Sequence, residues 1–335
     1  MRVRSRGVHG TTAPPALSAL LLLVALATAL GARVALAEDD WLQRAANAAR
    51  TLDYVGTVTN TTNTTDGSRI ANSRLVHFND NGVEFEKLTS LDGPAREVIR
   101  VNDQVRCYYP DDKLVRVEAR ALHNAFPSLL PQQIATLQQQ YTMRKAETAR
   151  VGGYEAQAWV FEPKDGMRYG HKFWVEPNSG LLLKARLLNE RNESVEQFAF
   201  TDIQIGGRLD RSMFKTQFPV PPADWQVMEK PIADVAQQDT GWVVKEVPPG
   251  FTKVMEGWRS LRGRDKVAQL VFSDGLVSIS VFVETAPPSP QALGQSQQGA
   301  VNLYTRSLNE HLVTVAGEAP APTVRQLAFS VSRRP

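Results

Sequence analysis

The sequence predicts a mainly β protein with a minority of helix, of class α+β, arranged as two modules. Three observations carry this. Short runs rich in β-branched and aromatic residues recur at close spacing from Asp53 to Ile203 and again from Gly241 onward. They are separated by Gly, Asn, Asp and Pro pairs of the kind that punctuate an antiparallel meander. Between 216 and 240 the periodicity fades and prolines gather at 219, 221, 222 and 231, which reads as a linker in a chain of 335 residues, long enough for two domains.

Residues 1–37 read as a secretory signal and are set apart from the fold. Arg2, Arg4 and Arg6 form a positive start, an uncharged Leu/Ala-rich run extends from Ala16 to Ala32, and Ala35-Leu36-Ala37 offers a cleavage site between Ala37 and Glu38. The competing reading, an uncleaved anchor, is weakened by a run slightly short of the ~20 residues of a membrane span. Removing the arginines at 2, 4, 6 and 33 from 38 Lys+Arg against 35 Asp+Glu leaves a net charge of −1. Bulk charge therefore makes no case for nucleic-acid binding. The single cysteine, Cys107, excludes an internal disulfide. In the strand Val105–Tyr109 it reads as a small buried hydrophobe, the alternative being a thiol that pairs between chains.

The first domain spans 38–215. A helix begins near Trp41, with Asp39 or Asp40 as its cap and Ala45, Ala48 and Leu52 on one face. Strand signal starts at Asp53. Thr59–Ser68 reads as a polar hairpin tip turning at Asp66-Gly67, and its N-x-T sequons read as loop polarity. Strands are predicted over Arg74–Phe78, Val83–Leu88, Glu97–Arg100, Val105–Tyr109 and Leu114–Glu118. A short helix follows over Pro131–Gln140, then strands over Ala156–Phe161, Lys172–Glu176, Leu181–Asn189 and Ser194–Ile203.

The second domain, 241–335, holds predicted strands over Val243–Glu246, Val267–Phe272, Val277–Glu284, Asn302–Leu308 and Leu312–Ala316. Ala286–Gly299 reads as a mobile loop. Val324, Leu327, Ala328 and Val331 recur at helical spacing, so a C-terminal helix is expected to cover one sheet face. The hairpin VFSDGLVSISVFVE (271–284) turns at Asp274-Gly275. It places Val277, Ile279, Val281 and Val283 on one face and Ser278, Ser280, Phe282 and Glu284 on the other.

Chemistry is sparse. His77, His123, His171 and His311 show no metal-ligand spacing, and the chain has no H-E-x-x-H, C-x-x-C, G-x-S-x-G or Walker sequence, so neither a cofactor nor an enzyme activity is expected. Two basic-aromatic clusters remain. Asp165–Glu176 interleaves Arg168, Tyr169, His171, Lys172, Phe173 and Trp174. Phe251–Arg264, read as a loop, carries Lys253, Trp258, Arg259, Arg262 and Arg264. Either cluster suits anionic headgroups or an acidic peptide; the bland reading is inward rings with wet charges.

Several stretches in order resemble the MucB/RseB family of periplasmic regulators of the sigma-E envelope-stress response. They are Asp53-Tyr54-Val55-Gly56-Thr57; Glu86-Lys87-Leu88 through Leu91-Asp92-Gly93 to Arg96-Glu97-Val98-Ile99-Arg100; Pro163 to Gly170; Gly180 to Lys184; Ser273-Asp274-Gly275-Leu276 through Ser280 to Glu284; and Val313 to Pro320. Lys87, where the family carries an arginine nearby, and the Asn/Thr-rich 59–68 stretch are departures that bear on ligand preference. The resemblance implies a first domain built as an unclosed antiparallel β-barrel plugged by helices, similar to the lipoprotein carrier LolA, and a smaller C-terminal sheet with a covering helix. It also implies a periplasmic protein; a homodimer that switches to monomer is the oligomeric behaviour expected of a regulator that sequesters a partner. Such a protein binds the periplasmic part of a single-span anti-sigma factor, shields it from proteolysis, and releases it on binding an acyl-chain lipid, lipopolysaccharide or mislocalised lipoprotein. The alternative is a periplasmic carrier of LolA type.

On this reading Ser278, Ser280 and Phe282 are the partner-binding candidates, with Phe282 as anchor. Trp258 and Arg259 take that role if the C-terminal helix covers the Phe282 face. Arg168, Tyr169, Lys172 and Trp174 are the candidates for lipid headgroups.

Overall fold

The computed structural model describes residues 41–64, 67–119, 131–218, 225–229, 238–261, 264–286 and 292–334. The expected signal segment with Ala37 and Glu38, and Arg262 of the second basic cluster, lie outside them.

A helix α1 (41–51) leads into the strands β1 (Tyr54–Thr64), β2 (Gly67–Asp80), β3 (Val83–Ser90), β4 (Glu97–Val101), β5 (Gln104–Tyr109) and β6 (Leu114–Ala119), each antiparallel to the next. The turns are built by residues that tolerate left-handed backbone. Asn81 and Gly82, at φ 52° and 90°, close the two-residue β2–β3 hairpin, the geometry that matches strand twist. After α2 (Pro131–Gln140) come β7 (Tyr141–Val151), β8 (Tyr154–Pro163), β9 (Gly170–Val175), β10 (Leu182–Leu188) and β11 (Ser194–Ile205). β11 returns to pair with β1, which joins the two meanders into one sheet. A last short strand, β12 (Gln226–Glu229), adds parallel to β6. The order β12-β6-β5-β4-β3-β2-β1-β11-β10-β9-β8-β7 has two ends that do not pair with each other, so the barrel is unclosed.

Several local expectations are corrected. Thr59–Ser68 is mostly strand: β1 runs to Thr64 and β2 starts at Gly67, because the Thr-rich residues pair across a long hairpin. β7 is a strand without a clear sequence signal, since its alternation is diluted by Arg144, Lys145, Glu147 and Arg150. Part of the linker is strand β12. The cluster at Phe251 is a strand, as described below.

Gly56 explains itself. A Cβ there would sit 2.4 Å from the Asp202 carbonyl oxygen and 2.8 Å from the Phe200 ring, where β1 and β11 approach beside a bulge at Thr57/Val58. Gly56→Ala is expected to destabilise the first domain by about 1–3 kcal/mol in urea unfolding, the cost of overpacking. An unchanged midpoint would show that β11 yields freely at this point.

The second domain is a six-stranded antiparallel sheet in the order β14-β15-β16-β19-β18-β17: β14 (Thr252–Leu261), β15 (Arg264–Ser273), β16 (Ser278–Thr285), β17 (Gly294–Gln298), β18 (Val301–Leu308) and β19 (His311–Gly317). β17 corrects the expected loop over 286–299 at Gly294–Gln298; residues 287–291 of that stretch lie outside the described residues. A small ribbon pairs β13 (Trp242–Val244) with β20 (Val331–Arg333). Helix α3 (Ala321–Ser330) lays Val324, Leu327 and Ala328 on Ile279, Val281, Val283, Val313 and Val315, all fully buried or nearly so. The aliphatic face of β16 is therefore the core, and the helix covers that face and not the Phe282 face.

Candidate functional site: a domain lock, a cavity and an open sheet face

The segment between β8 and β9 carries Arg168, whose guanidinium is fully buried. Nη1 donates to Asp274 Oδ2 at 2.7 Å. Nε and Nη2 donate to the two carboxylate oxygens of Asp165 at 3.1 and 3.2 Å. Nη2 also donates to the Pro249 carbonyl. The Tyr141 and Phe251 rings lie against the guanidinium at 5.7 and 4.9 Å, and Tyr141 Oη donates to the same Asp274 oxygen at 3.1 Å. Burial pulls the Arg168 pKa down, but the Asp165 hydrogen bonds and the Asp274 charge outweigh it and leave it raised. Burial, then the Asp274 charge, pushes the Tyr141 phenol well up.

Arg168, Tyr141 and Asp165 belong to the first domain; Asp274, Pro249 and Phe251 belong to the second. Neighbours extend the seam: Asn302 Nδ2 donates to Tyr169 Oη at 2.9 Å, and Thr323 Oγ1 donates to the Met167 carbonyl at 2.9 Å. A buried cation held by this many partners is a fixed structural join. Arg168 and Tyr169 are thus not headgroup ligands. Their polar atoms are engaged across the seam, and both residues are buried. Asp274, which the sequence presents as a turn residue, is both: its Oδ1 accepts from the Leu276 and Val277 amides at 3.0 and 2.9 Å while Oδ2 faces Arg168. Only its partner, 106 positions away, reveals the second role.

Beside the seam lies a cavity of about 400 Å³, walled by Tyr54, Leu75, Phe173, Leu187, Phe198 and Phe200 of the first domain and by Leu276 and Glu318 of the second. Its volume and apolar lining suit a small-molecule or acyl-chain site. Burial raises the Glu318 pKa, helped by the charge of Glu196, which also lines the cavity. His171, also in the wall, is buried and neutral: desolvation holds its pKa down at about 3, and its Nε2 has no hydrogen-bond partner.

Lys172 and Trp174 stand on the opposite strand face from His171 and Phe173. Register sets Lys172 across from Arg186 and Trp174 across from Lys184. The Lys172 and Lys184 ammonium groups and the Arg186 guanidinium surround the buried Trp174 ring at 5.0, 4.7 and 5.4 Å from its centroid. Lys172 pairs with Glu147 at 2.7 Å and Arg186 donates to Gln197 at 2.7 Å. Burial, then the Arg186 and Lys172 charges, lowers the Lys184 pKa. The sequence reading reached Lys172 and Trp174 but missed Lys184 and Arg186, which only the β9–β10 register brings in; the i, i+2 spacing of the two cations on a strand was the available signal.

In the second domain Ser278, Ser280, Phe282 and Glu284 share one face of β16. Phe282 stands opposite Gln269 of β15 and Thr314 of β19, and it is half-buried. Arg259 reaches this face, being opposite Val267, and donates to Met255 Sδ. Trp258, 44 % exposed, is on the other face of the edge strand β14, opposite Ala268. The structure therefore groups Ser278, Ser280, Phe282 and Arg259 and separates Trp258 from them. Among the described residues, no group of three or more His, Cys, Asp or Glu side chains is placed to hold a metal.

The family model described as MucB/RseB N-terminal domain matches residues 37–218, and that of the MucB/RseB C-terminal domain matches 236–332. The chain is 30 % identical over 321 residues to the sigma factor AlgU regulatory protein MucB of Pseudomonas aeruginosa, covering 94 % of this chain and 96 % of that one. It is 25 % identical to the sigma-E factor regulatory protein RseB of Escherichia coli, over 73 % of this chain and 76 % of that one. Among solved structures, the Pseudomonas aeruginosa MucA/MucB complex superposes with a TM-score of 0.69 at 28 % identity, over 89 % of this chain and 99 % of that one. MucB in complex with MucA(peri) gives 0.68 at 26 % identity, over 88 % and 98 %.

Proposed function

The chain belongs to the MucB/RseB family, and from that premise we propose that it is a periplasmic regulator of a sigma factor, acting by binding the periplasmic part of a membrane anti-sigma factor. The observation that carries this is the likeness, through both domains, to a relative whose solved structure contains the MucA periplasmic segment. Binding shields the anti-sigma factor from proteolysis, and a lipid-type signal ends the shielding.

The open face of β16 supports the partner role. It is the sheet face that α3 does not cover: half-buried Phe282 stands with Ser278 and Ser280 beside the buried Val271 and Met255, and Arg259 is on the same face. Aromatic and Arg side chains of this kind dominate interface energies. Phe282→Ser is expected to weaken binding of the anti-sigma periplasmic segment roughly thirtyfold, a loss of about 2 kcal/mol, in titration calorimetry. Unchanged affinity in a variant whose circular dichroism matches the parent would remove this face from the interface.

The cavity supports the lipid role, with each buried CH₂ contributing about 0.8 kcal/mol. The three cations around Trp174, set against the single exposed carboxylate of Glu147, suit an anionic headgroup. Arg186 stands between the two: its strand neighbours Ala185 and Leu187 line the cavity, while its guanidinium joins the cluster on the opposite face of the sheet.

A further inference from the structure

The cavity wall and the domain lock meet in one short turn. Asp274 accepts Arg168 with one carboxylate oxygen and the Leu276 and Val277 amides with the other. Ser273 Oγ donates to the Val277 carbonyl and accepts from the Gly275 amide, so hydrogen bonds tie residues 273–277 into one unit. Leu276, two positions from the buried carboxylate, is the side chain this turn contributes to the cavity. We propose that the Ser273–Val277 turn is the coupling element through which filling the cavity unlocks the two domains.

The physical requirement is differential affinity, because a ligand shifts a conformational equilibrium only by binding one state better than the other. An occupant seated against Phe198 and Phe200 of one domain and Leu276 of the other touches surfaces whose spacing depends on domain placement. The lock has little tolerance for that spacing to change. Its ion pair is closed at 2.7 Å with no solvent access on either side chain, and its rings pack directly on the guanidinium. Closely packed joins of this sort switch between arrangements and do not stretch continuously. A tail that displaces Leu276 displaces Asp274 with it, and Arg168 and Tyr141 lose their shared acceptor. By linkage, a partner that prefers the locked placement is weakened by the ligand and weakens it in return.

This rests on the reading of the cavity as a lipid site, and the test separates the two. Spin labels go on Arg191→Cys in the first domain and Glu310→Cys in the second, both exposed, in a Cys107→Ser background. The probe is 1-lauroyl-lysophosphatidylcholine below its micelle concentration. Double electron–electron resonance is expected to give a narrow inter-label distance without the probe and a shifted or broadened one with it. Asp274→Asn is expected to give the shifted distribution with no probe. If that variant does not fold, Tyr141→Phe, which removes one hydrogen bond, is expected to lower several-fold the probe concentration needed for the shift. Leu276→Ala is expected to bind the probe in calorimetry while keeping the narrow distribution. Probe binding with an unmoved distance in the parent overturns the coupling and leaves the lipid reading standing. A Leu276→Ala protein that shifts like the parent overturns the role of the turn. No probe binding at all takes down the lipid reading, and the coupling with it.

Discussion

Asp274→Ala is expected to destabilise the protein by about 3–5 kcal/mol, the range for removing one partner of a buried ion pair. The size comes from what is left behind. The Arg168 side chain has no solvent access, and after the change only Asp165, itself 29 % exposed, balances its charge. Tyr141 Oη loses its acceptor inside the same apolar enclosure, and the Leu276 and Val277 amides lose theirs. The site cannot relax by hydrating, because Tyr141 and Phe251 close it. Urea unfolding followed by tryptophan fluorescence measures the loss. The two domains are also expected to separate into two transitions, since the lock ties them together. As a control, Arg191→Ala removes an exposed pair with Glu193 at 2.9 Å and is expected to change stability little. If Asp274→Ala were as mild as that control, the seam would be an adventitious contact and not a lock.

Acid is expected to unfold the first domain early, and His171→Phe to postpone it. The imidazole titrates near 6.5 when unfolded but is held at about 3 by burial in the fold. The unfolded state therefore takes up the proton first, and stability present above pH 6.5 is lost progressively as pH falls toward 3. At about 1.36 kcal/mol per pH unit the loss reaches roughly 3 kcal/mol by pH 4. Phenylalanine fits the surroundings: the ring stacks on Phe173 at 5.6 Å and meets Tyr141 edge-on at 6.0 Å, and the unpartnered Nε2 is removed. Glu84 adds a second loss at lower pH. Burial pushes its pKa up, but hydrogen bonds from His77 and Arg100 outweigh this and hold it at about 2 against 4.5 unfolded, so its share disappears between those values. Thermal melts between pH 7 and pH 4 should show a steeper decline for the parent than for His171→Phe; parallel declines would mean that His171 opens to water well before the domain unfolds.

The alternation that predicts strands was legible wherever one face is wet. Val277, Ile279, Val281 and Val283 announced the core face of β16 directly, and α3 packs on that face. Legibility failed where both faces are covered or both are polar. Phe173 and Trp174 are adjacent in sequence, point to opposite faces, and are both buried. β7 and β14 carry so many charges that one read as connection and the other as loop.

The α+β class, the antiparallel meanders and the family were legible in the chain alone, because these depend on local periodicity, turn residues and ordered motifs. The pairing of Arg168 with Asp274, the gathering of Lys184 and Arg186 around Trp174, and the sharing of one cavity by Phe198 and Leu276 were decided only by the tertiary structure. Each depends on strand register or domain contact between distant positions, and a charge at one point of the chain carries no mark of the opposite charge that will neutralise it more than a hundred residues later.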